Sequence, residues 1–417
     1  MIGLIIKNHF KNISKIGIGN FIYLALNFYI IKYLTTHYNI EKFGEYSLIV
    51  AFSSIVFILI QTITSSIGPF LKKGLFEEKE LKIQFINLLV YINVIFLIVS
   101  FILFLLGMNH QVKYIDQIIL SVFLGLSISI NMVLNSFNLI KGYINRYLIF
   151  NLLSFILRAI IISALIFLKI HISIIKIIQL FIISNFLTSI ISIVQFDRNF
   201  KIEFSLFEIN SKFFKKYIEY SKFILVGNII GWANNFFDKF ILGKIQSTSM
   251  VGVYSLQYQY SFSILNQLSQ IIGQFFNSIY WNRNYIKNQQ NKIMILIRNL
   301  TFLFIVCSLL IMMIPNGLID FLIQIVSSES FLGYNWNYKF ILIGGLFFMG
   351  AQIIANPLFE IGKIKSLIQN QIIVFVIFIS LSIFLTINYN ITGLAIAIMI
   401  SNIFYYCLNI RSNIYNQ

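Results

Sequence analysis

Charged side chains are scarce in this chain, and three of them stand where charge is costly. Arg158 lies near the middle of the apolar stretch "NLLSFILRAIIISALIF", with Asn151 and Ser154 on the same helical face. Asp238 and Lys239 interrupt "NNFFDKFILGK". By helical spacing Asn228, Asn235 and Lys239 share a face, and Asp238 is offset toward Gly231. An ionisable group at bilayer depth usually faces a water-filled cavity or a partner. A guanidinium suits bidentate phosphate contacts, so Arg158 with Asn151 and Ser154 reads as an anion-binding stripe in a hydrated cavity. The competing reading is an arginine that caps carbonyls inside a helix bundle. For Asp238 and Lys239, lining such a cavity competes with a local ion-pair network or snorkelling to the outer interface. Lys32 and Arg298 sit within snorkelling reach of the ends of apolar stretches. Glu360, just after Pro357, reads as an inner-end helix residue.

Other chemistries find no residues to carry them. No G-x-x-x-x-G-K-[ST] loop is present to cradle ATP. No Ser/His/Asp set can be gathered from loops on one side, and Glu78 and Glu80 in "KKGLFEEKELK" read as a solvated helix rather than a catalytic pair. Cys307 and Cys407 lie in apolar runs, and His9, His37, His110 and His171 have no ligand spacing. The chain reads as a non-enzyme for which no cofactor or metal is implied.

The elements that position these residues follow from composition. The 417 residues are 58% hydrophobic and only 11% charged, against about 25% charged in a soluble globular protein. Mean hydropathy is +0.85. Such a chain belongs in a lipid bilayer. Its net charge of +17 does not point to nucleic acid, because the basic residues sit in short segments between apolar runs. Twelve runs approach the roughly 20 residues that a membrane helix needs: 14–34, 43–71, 84–107, 117–140, 147–168, 173–196, 221–243, 250–280, 293–314, 340–360, 366–387 and 391–410. Lys7, Lys11 and Lys15 precede the first run without a small-residue cleavage site, so that run is expected to stay in the membrane. With the N-terminus inside, 22 Lys and Arg fall on the inner side. Six (Lys42, Lys113, Lys169, Lys176, Lys244 and Lys339) fall outside. The asymmetry places both termini in the cytoplasm.

The chain also repeats itself. "GNFIYLALNFYIIKYLTTHYNIEKFGEYSL" (19–48) and "GNIIGWANNFFDKFILGKIQSTSMVGVYSL" (227–256) align without a gap and share eleven of thirty positions. Glycine and polar positions match as well as apolar ones. Six spans separate the copies, so both cross in the same direction, as a parallel repeat about an axis along the membrane normal. The expected architecture is all-α: twelve transmembrane helices in two six-helix bundles, 1–196 and 221–417, around a central cavity, with a cytoplasmic linker over 197–220. Gly227-x-x-x-Gly231 has the form of a close-packing motif, and the asparagines of the first and seventh spans can serve as helix–helix glue.

These residues resemble the Wzx-type polysaccharide flippases of the multidrug/oligosaccharidyl-lipid/polysaccharide (MOP) superfamily. The resemblance rests on "GIGNFIYLALNFYIIKYL" with "FGEYSL", and on "NNFFDKFILGK" with "VGVYSL". The family's Asp-Arg with a following Leu-Gly stands here as Asp238-Lys239 with Leu242-Gly243; lysine keeps the charge and loses the fork. The resemblance implies translocation of an undecaprenyl-pyrophosphate-linked oligosaccharide from the inner to the outer leaflet of the bacterial cytoplasmic membrane. It also implies a V-shaped cationic cavity between the bundles, contacts from Arg158 and Lys239 to the pyrophosphate, a coupling proton or sodium ion, and polysaccharide polymerase partners. The rivals are a lipid II flippase and an ion-coupled drug antiporter of the same superfamily. A membrane-embedded polymerase or glycosyltransferase is a rival of another class, which the short outer loop from Pro315 to Lys339 disfavours.

Overall fold

In a computed structural model of the chain, residues 2–73, 78–110, 115–140, 143–200, 210–269, 272, 290–333, 335–360 and 364–415 are described. Their regular secondary structure is helical throughout. A bilayer offers the backbone no water, so a spanning segment must satisfy its own N–H and C=O groups, and only three prolines interrupt the runs. The helices are α1 (Ile2–His37), α2 (Ile40–Lys73), α3 (Glu78–His110), α4 (Ile115–Ile140), α5 (Ile144–Phe167) and α6 (Ile174–Phe200). They continue as α7 (Ser211–Ile245), α8 (Thr248–Tyr258), α9 (Gln290–Met313), α10 (Asn316–Val326), α11 (Asn335–Glu360) and α12 (Ile364–Tyr415). From α8 the chain passes through a π-helical turn, Gln259–Ser263, into further helix over 264–269. α12 is a hairpin of two helices: Asn390 breaks it at φ 54°, ψ −140°. Asn370 then donates to Asn409 Oδ1 at 2.9 Å and Gln371 to Tyr405 at 3.4 Å, as antiparallel arms require. Each of the twelve predicted spans therefore falls on a helix, apart from the end of the eighth, which lies outside the described residues. The protein is an all-α integral membrane protein.

Two regions differ from the sequence expectation. α7 begins at Ser211, inside the segment read as linker. Lys212, Lys215 and Lys216 lower its hydropathy, but they are exposed, while Phe213 and Tyr217 are buried against Phe85 of α3. The Phe85 and Phe213 rings meet edge to face at 5.3 Å, and Glu80 accepts from Asn210 at the helix start. The stretch from Pro315 to Lys339 is no plain loop: it contains α10 and a 3₁₀ turn, Glu329–Phe331.

The chain forms two compact units, residues 46–232 and residues 1–45 with 233–417. In the first, α4 packs against α3, α5 and α6. One apolar core joins Ile60, Ile63, Phe85, Val133 and Phe213, and another joins Ile49, Leu124, Ile178 and Ile182. In the second, α11 packs on α12 and α9 around Phe304, Phe347, Ile353 and Tyr406.

The repeat is visible in local geometry. Asn39 Oδ1 accepts the Lys42 N–H at 2.9 Å at the start of α2, and Ser247 Oγ accepts the Met250 N–H at 3.3 Å at the start of α8. Position 247 is the repeat partner of 39, and 250 of 42, so different side chains cap the two copies in the same way. The first turns of α2 and α8 then meet at Gly44 and Gly252, which are also repeat partners. A Cβ on Gly44 would strike the Thr248 carbonyl oxygen and lie 3.1 Å from Gly252 N; one on Gly252 would strike the Ile40 carbonyl oxygen and lie 3.2 Å from Gly44 N. Ile40 and Thr248 are themselves repeat partners, so the contact is reciprocal about a local two-fold. At Gly231, by contrast, a Cβ would meet nothing within 4 Å, so the close-packing motif read at 227–231 is not what that glycine serves.

Candidate functional site

The candidate residues fall into two clusters, one in each unit. In residues 46–232, Arg158 projects from α5 toward α6. Its Nη2 donates to Asn185 Oδ1 at 2.7 Å, and the guanidinium carbon lies 4.8 Å from the Phe155 ring centroid and 5.1 Å from that of Phe181. Asn185 Nδ2 donates onward to Ser127 Oγ at 3.0 Å on α4, and Ser189 donates to the Ser127 carbonyl at 3.2 Å. Lower on the same seam, Ser192 donates to Asn131 Oδ1 at 2.9 Å, and Asn131 to the Phe150 carbonyl at 3.1 Å. Tyr46 is near enough to feel the Arg158 charge. Arg158 is thus half-buried at the end of a polar seam, held by one amide and two ring faces, which suits a weakly hydrated planar cation. Ser154 is buried one turn away, and Asn151 is half-buried and makes no hydrogen bond among the described residues. The seam runs to α6 and α4 instead of along the predicted stripe on α5. Asn228, on the part of α7 in this unit, donates to Thr62 Oγ1 of α2 at 3.0 Å, and Trp232 donates to Ser54 Oγ at 2.8 Å.

In the other unit, Asp238 is fully buried and Lys239 is 7% exposed. They do not pair. Asp238 Oδ1 accepts the Lys239 backbone N–H at 2.7 Å, and Oδ2 accepts the Tyr254 hydroxyl. The Lys239 ammonium instead lies 4.9 Å from the Phe236 ring centroid and 5.5 Å from that of Tyr258. No ion pair joins Lys239 to a carboxylate among the described residues, so none neutralises it by direct contact. Tyr258 donates to Asn235 Oδ1 at 3.3 Å. The Asn234 amide oxygen and the Ser255 hydroxyl are buried without hydrogen-bond partners among the described residues. A buried ammonium held only by π faces keeps its donors available for an anion.

Several contributors escaped the sequence reading. Asn185, Phe155 and Phe181 lack any linear signal, because they reach Arg158 through packing. Tyr46 and Tyr254 did carry one. They are the tyrosines of the repeated Gly-x-Tyr-Ser-Leu, and each stands by the charge cluster of its own unit. Lys32 makes no simple excursion to the interface: its Nζ donates to the Gln324 and Ser327 carbonyls at 2.8 and 2.7 Å. Arg298 is exposed on α9, and the Glu360 side chain lies outside the described residues.

Solved structures share this architecture. A multidrug-resistance MATE transporter of the MOP superfamily, in an inward-facing conformation, superposes with a TM-score of 0.67 at 12% identity, over 94% of this chain and 93% of that one. The lipid II flippase MurJ gives 0.70 at 15% identity, over 95% and 87%. A MOP superfamily transporter from Pyrococcus furiosus gives 0.63 at 12% identity, over 97% and 95%. The fold is that of the MOP superfamily transporters. At these identities the likeness establishes the fold alone. No family model matches the sequence, and no curated protein matches it.

Proposed function

We propose that this chain is a flippase that moves an undecaprenyl-pyrophosphate-linked oligosaccharide, an O-antigen or capsular repeat unit, from the inner to the outer leaflet by alternating access. The observation that carries the reading is the state of Lys239. It is a buried cation whose neighbouring acid is turned to a tyrosine and a backbone N–H, leaving the ammonium against aromatic faces. Arg158 gives the other unit a cation held by an amide and two rings. A pyrophosphate offers the charge both centres would favour, whereas a cationic drug would be repelled by both. Asn151, Asn228 and Asn235 would offer amides to the sugar, and the polyprenyl tail would stay in lipid. Asp238, as the deeply buried acid, is where a coupling proton or sodium ion would act. The two six-span halves, 1–196 and 221–417, would rock about the axis of the parallel repeat, and a polymerase would receive the product at the outer leaflet.

A second reading, lipid II as cargo, is favoured by the MurJ likeness and shares the pyrophosphate chemistry. One experiment separates the two. Expression in a strain lacking its O-unit flippase should restore surface polysaccharide and clear the accumulated lipid-linked glycan. Rescue of a strain depleted of its lipid II flippase, without rescue of the first, would replace the proposed cargo with lipid II.

A further inference from the structure

The elbow after α9 was expected to be loop and is built as something more specific. α10 leaves α9 at 89°, just after Pro315. At about 100° of rotation per residue, its eleven residues divide into three arcs. Ile319, Ile323 and Val326 form the first, and Ile319 and Ile323 are buried against the protein. Asn316, Gly317, Asp320 and Gln324 form the second, which is polar. Leu318, Phe321, Leu322 and Ile325 form the third, and they are 50%, 57%, 48% and 56% exposed. The third arc continues the exposed apolar side of α9, where Leu309, Leu310 and Met313 also face outward.

The elbow is fastened at both arms. Lys32 of α1 donates to the Gln324 and Ser327 carbonyls, and Tyr260 donates to the Val326 carbonyl at 2.9 Å. The Gln324 and Val326 carbonyls are last-turn acceptors that no helical N–H can reach, Ser327 is the residue that ends the helix, and a cation there also suits the helix dipole. Lys339 donates to the Met312 carbonyl at 3.3 Å, at the end of α9, with its ammonium 4.5 Å from the Trp336 ring centroid.

We propose that α10 is an interfacial anchor lying in the plane of the bilayer that the chain itself crosses. Leu318, Phe321, Leu322 and Ile325 enter the acyl boundary, Asn316 and Gln324 face water, and Lys32 ties α1 to this lipid-borne helix. A helix bent by nearly a right angle from a membrane-crossing one runs close to the membrane plane, and adjoining apolar and polar arcs are what an in-plane helix requires. Lipid is the occupant for two reasons. The arc is continuous with the lipid-facing side of α9. Four side chains on a short helix also fall far below the roughly 800 Å² per partner of a stable protein interface. The inference is independent of the cargo.

The test is a nitroxide scan on full-length protein, with Cys307→Ala and Cys407→Ala as background, reconstituted in phosphatidylcholine/phosphatidylglycerol vesicles. Labels at 318, 321, 322 and 325 should favour oxygen over a water-soluble nickel relaxant, and labels at 316 and 324 the reverse, with the helical period. Nickel access equal at 321 and 324 would overturn the proposal. So would low access to both relaxants at 321 and 322, which would mean that protein covers the arc. Adding Lys32→Ala should raise label mobility at 322 and leave a label on exposed Ile160 of α5 unchanged; an unchanged spectrum at 322 would remove the tether to α1.

Discussion

At the scale of single residues, the clusters differ in what a substitution removes. Arg158 carries a charge-assisted hydrogen bond to Asn185 and stacks on two rings. Loss of an equivalent contact to a bound pyrophosphate would cost about 1.5–3 kcal/mol, or roughly ten- to a hundredfold in export rate. Arg158→Ala should therefore lose export by that factor, and Arg158→Lys should keep part of it, since charge survives without the fork. The control is Asn185→Ala. It breaks the seam but leaves the cation, so it should reduce thermal stability more than export. Export measured per inserted molecule decides the matter: normal export by Arg158→Ala would make this arginine a bundle strut. In the other cluster, Tyr254→Phe deletes the donor to Asp238 Oδ2 in a fully buried setting. Stranding that oxygen should lower stability by about 1–3 kcal/mol, visible as a reduced melting temperature in detergent. An unchanged melting curve would mean that water replaces the hydroxyl.

At the scale of elements, the repeat predicts an unusual equivalence. Gly44 and Gly252 meet backbone to backbone, and the obstacles to a side chain on either are carbonyl oxygens. No rotamer change relieves such a clash, so Gly44→Leu and Gly252→Leu should each destabilise by about 1–3 kcal/mol, the usual cost of overpacking. Because the contact is reciprocal, the two losses should be similar and the double variant less than additive. Paired melts of the three variants would check this, and full additivity would mean that the glycines act separately. Gly231→Ala, where space is open, should be neutral. The sequence marked these positions by matching glycine to glycine, and it placed the twelve spans because hydropathy reports lipid directly. The amphipathic start of α7 was illegible, since three exposed lysines mask the buried Phe213 and Tyr217. α10 was illegible for a related reason: at eleven residues it is too short to read as a span. The lone charges Arg158 and Lys239 could be found from their apolar surroundings. Their partners could not, because Asn185, Phe155 and Phe181 come from other turns and another helix, and an asparagine in an apolar run looks the same whether it glues helices or orients an arginine.

At the scale of the whole molecule, the open quantity is direction across the membrane, and a flippase reading depends on it. Twenty-two basic residues on one side against six on the other would put both termini and the segment before α7 in the cytoplasm. The first turns of α2 and α8 meet at one point, so the two copies enter the membrane from the same face, as a parallel repeat requires. With the N-terminus inside, that face is the outer one, and α10 lies on the same side as the Gly44–Gly252 contact. Ser211 and Thr248 then become a matched pair of reporters, both exposed or half-exposed and both at helix starts. In the cysteine-free background, Ser211→Cys should resist a membrane-impermeant maleimide added to intact cells and react after permeabilisation. Thr248→Cys, at the start of α8, should react in intact cells. The reverse pattern would invert the protein in the membrane and leave a flippase with this sequence facing the wrong leaflet; reaction of both sites from outside would break the parallel repeat, because α7 would no longer cross.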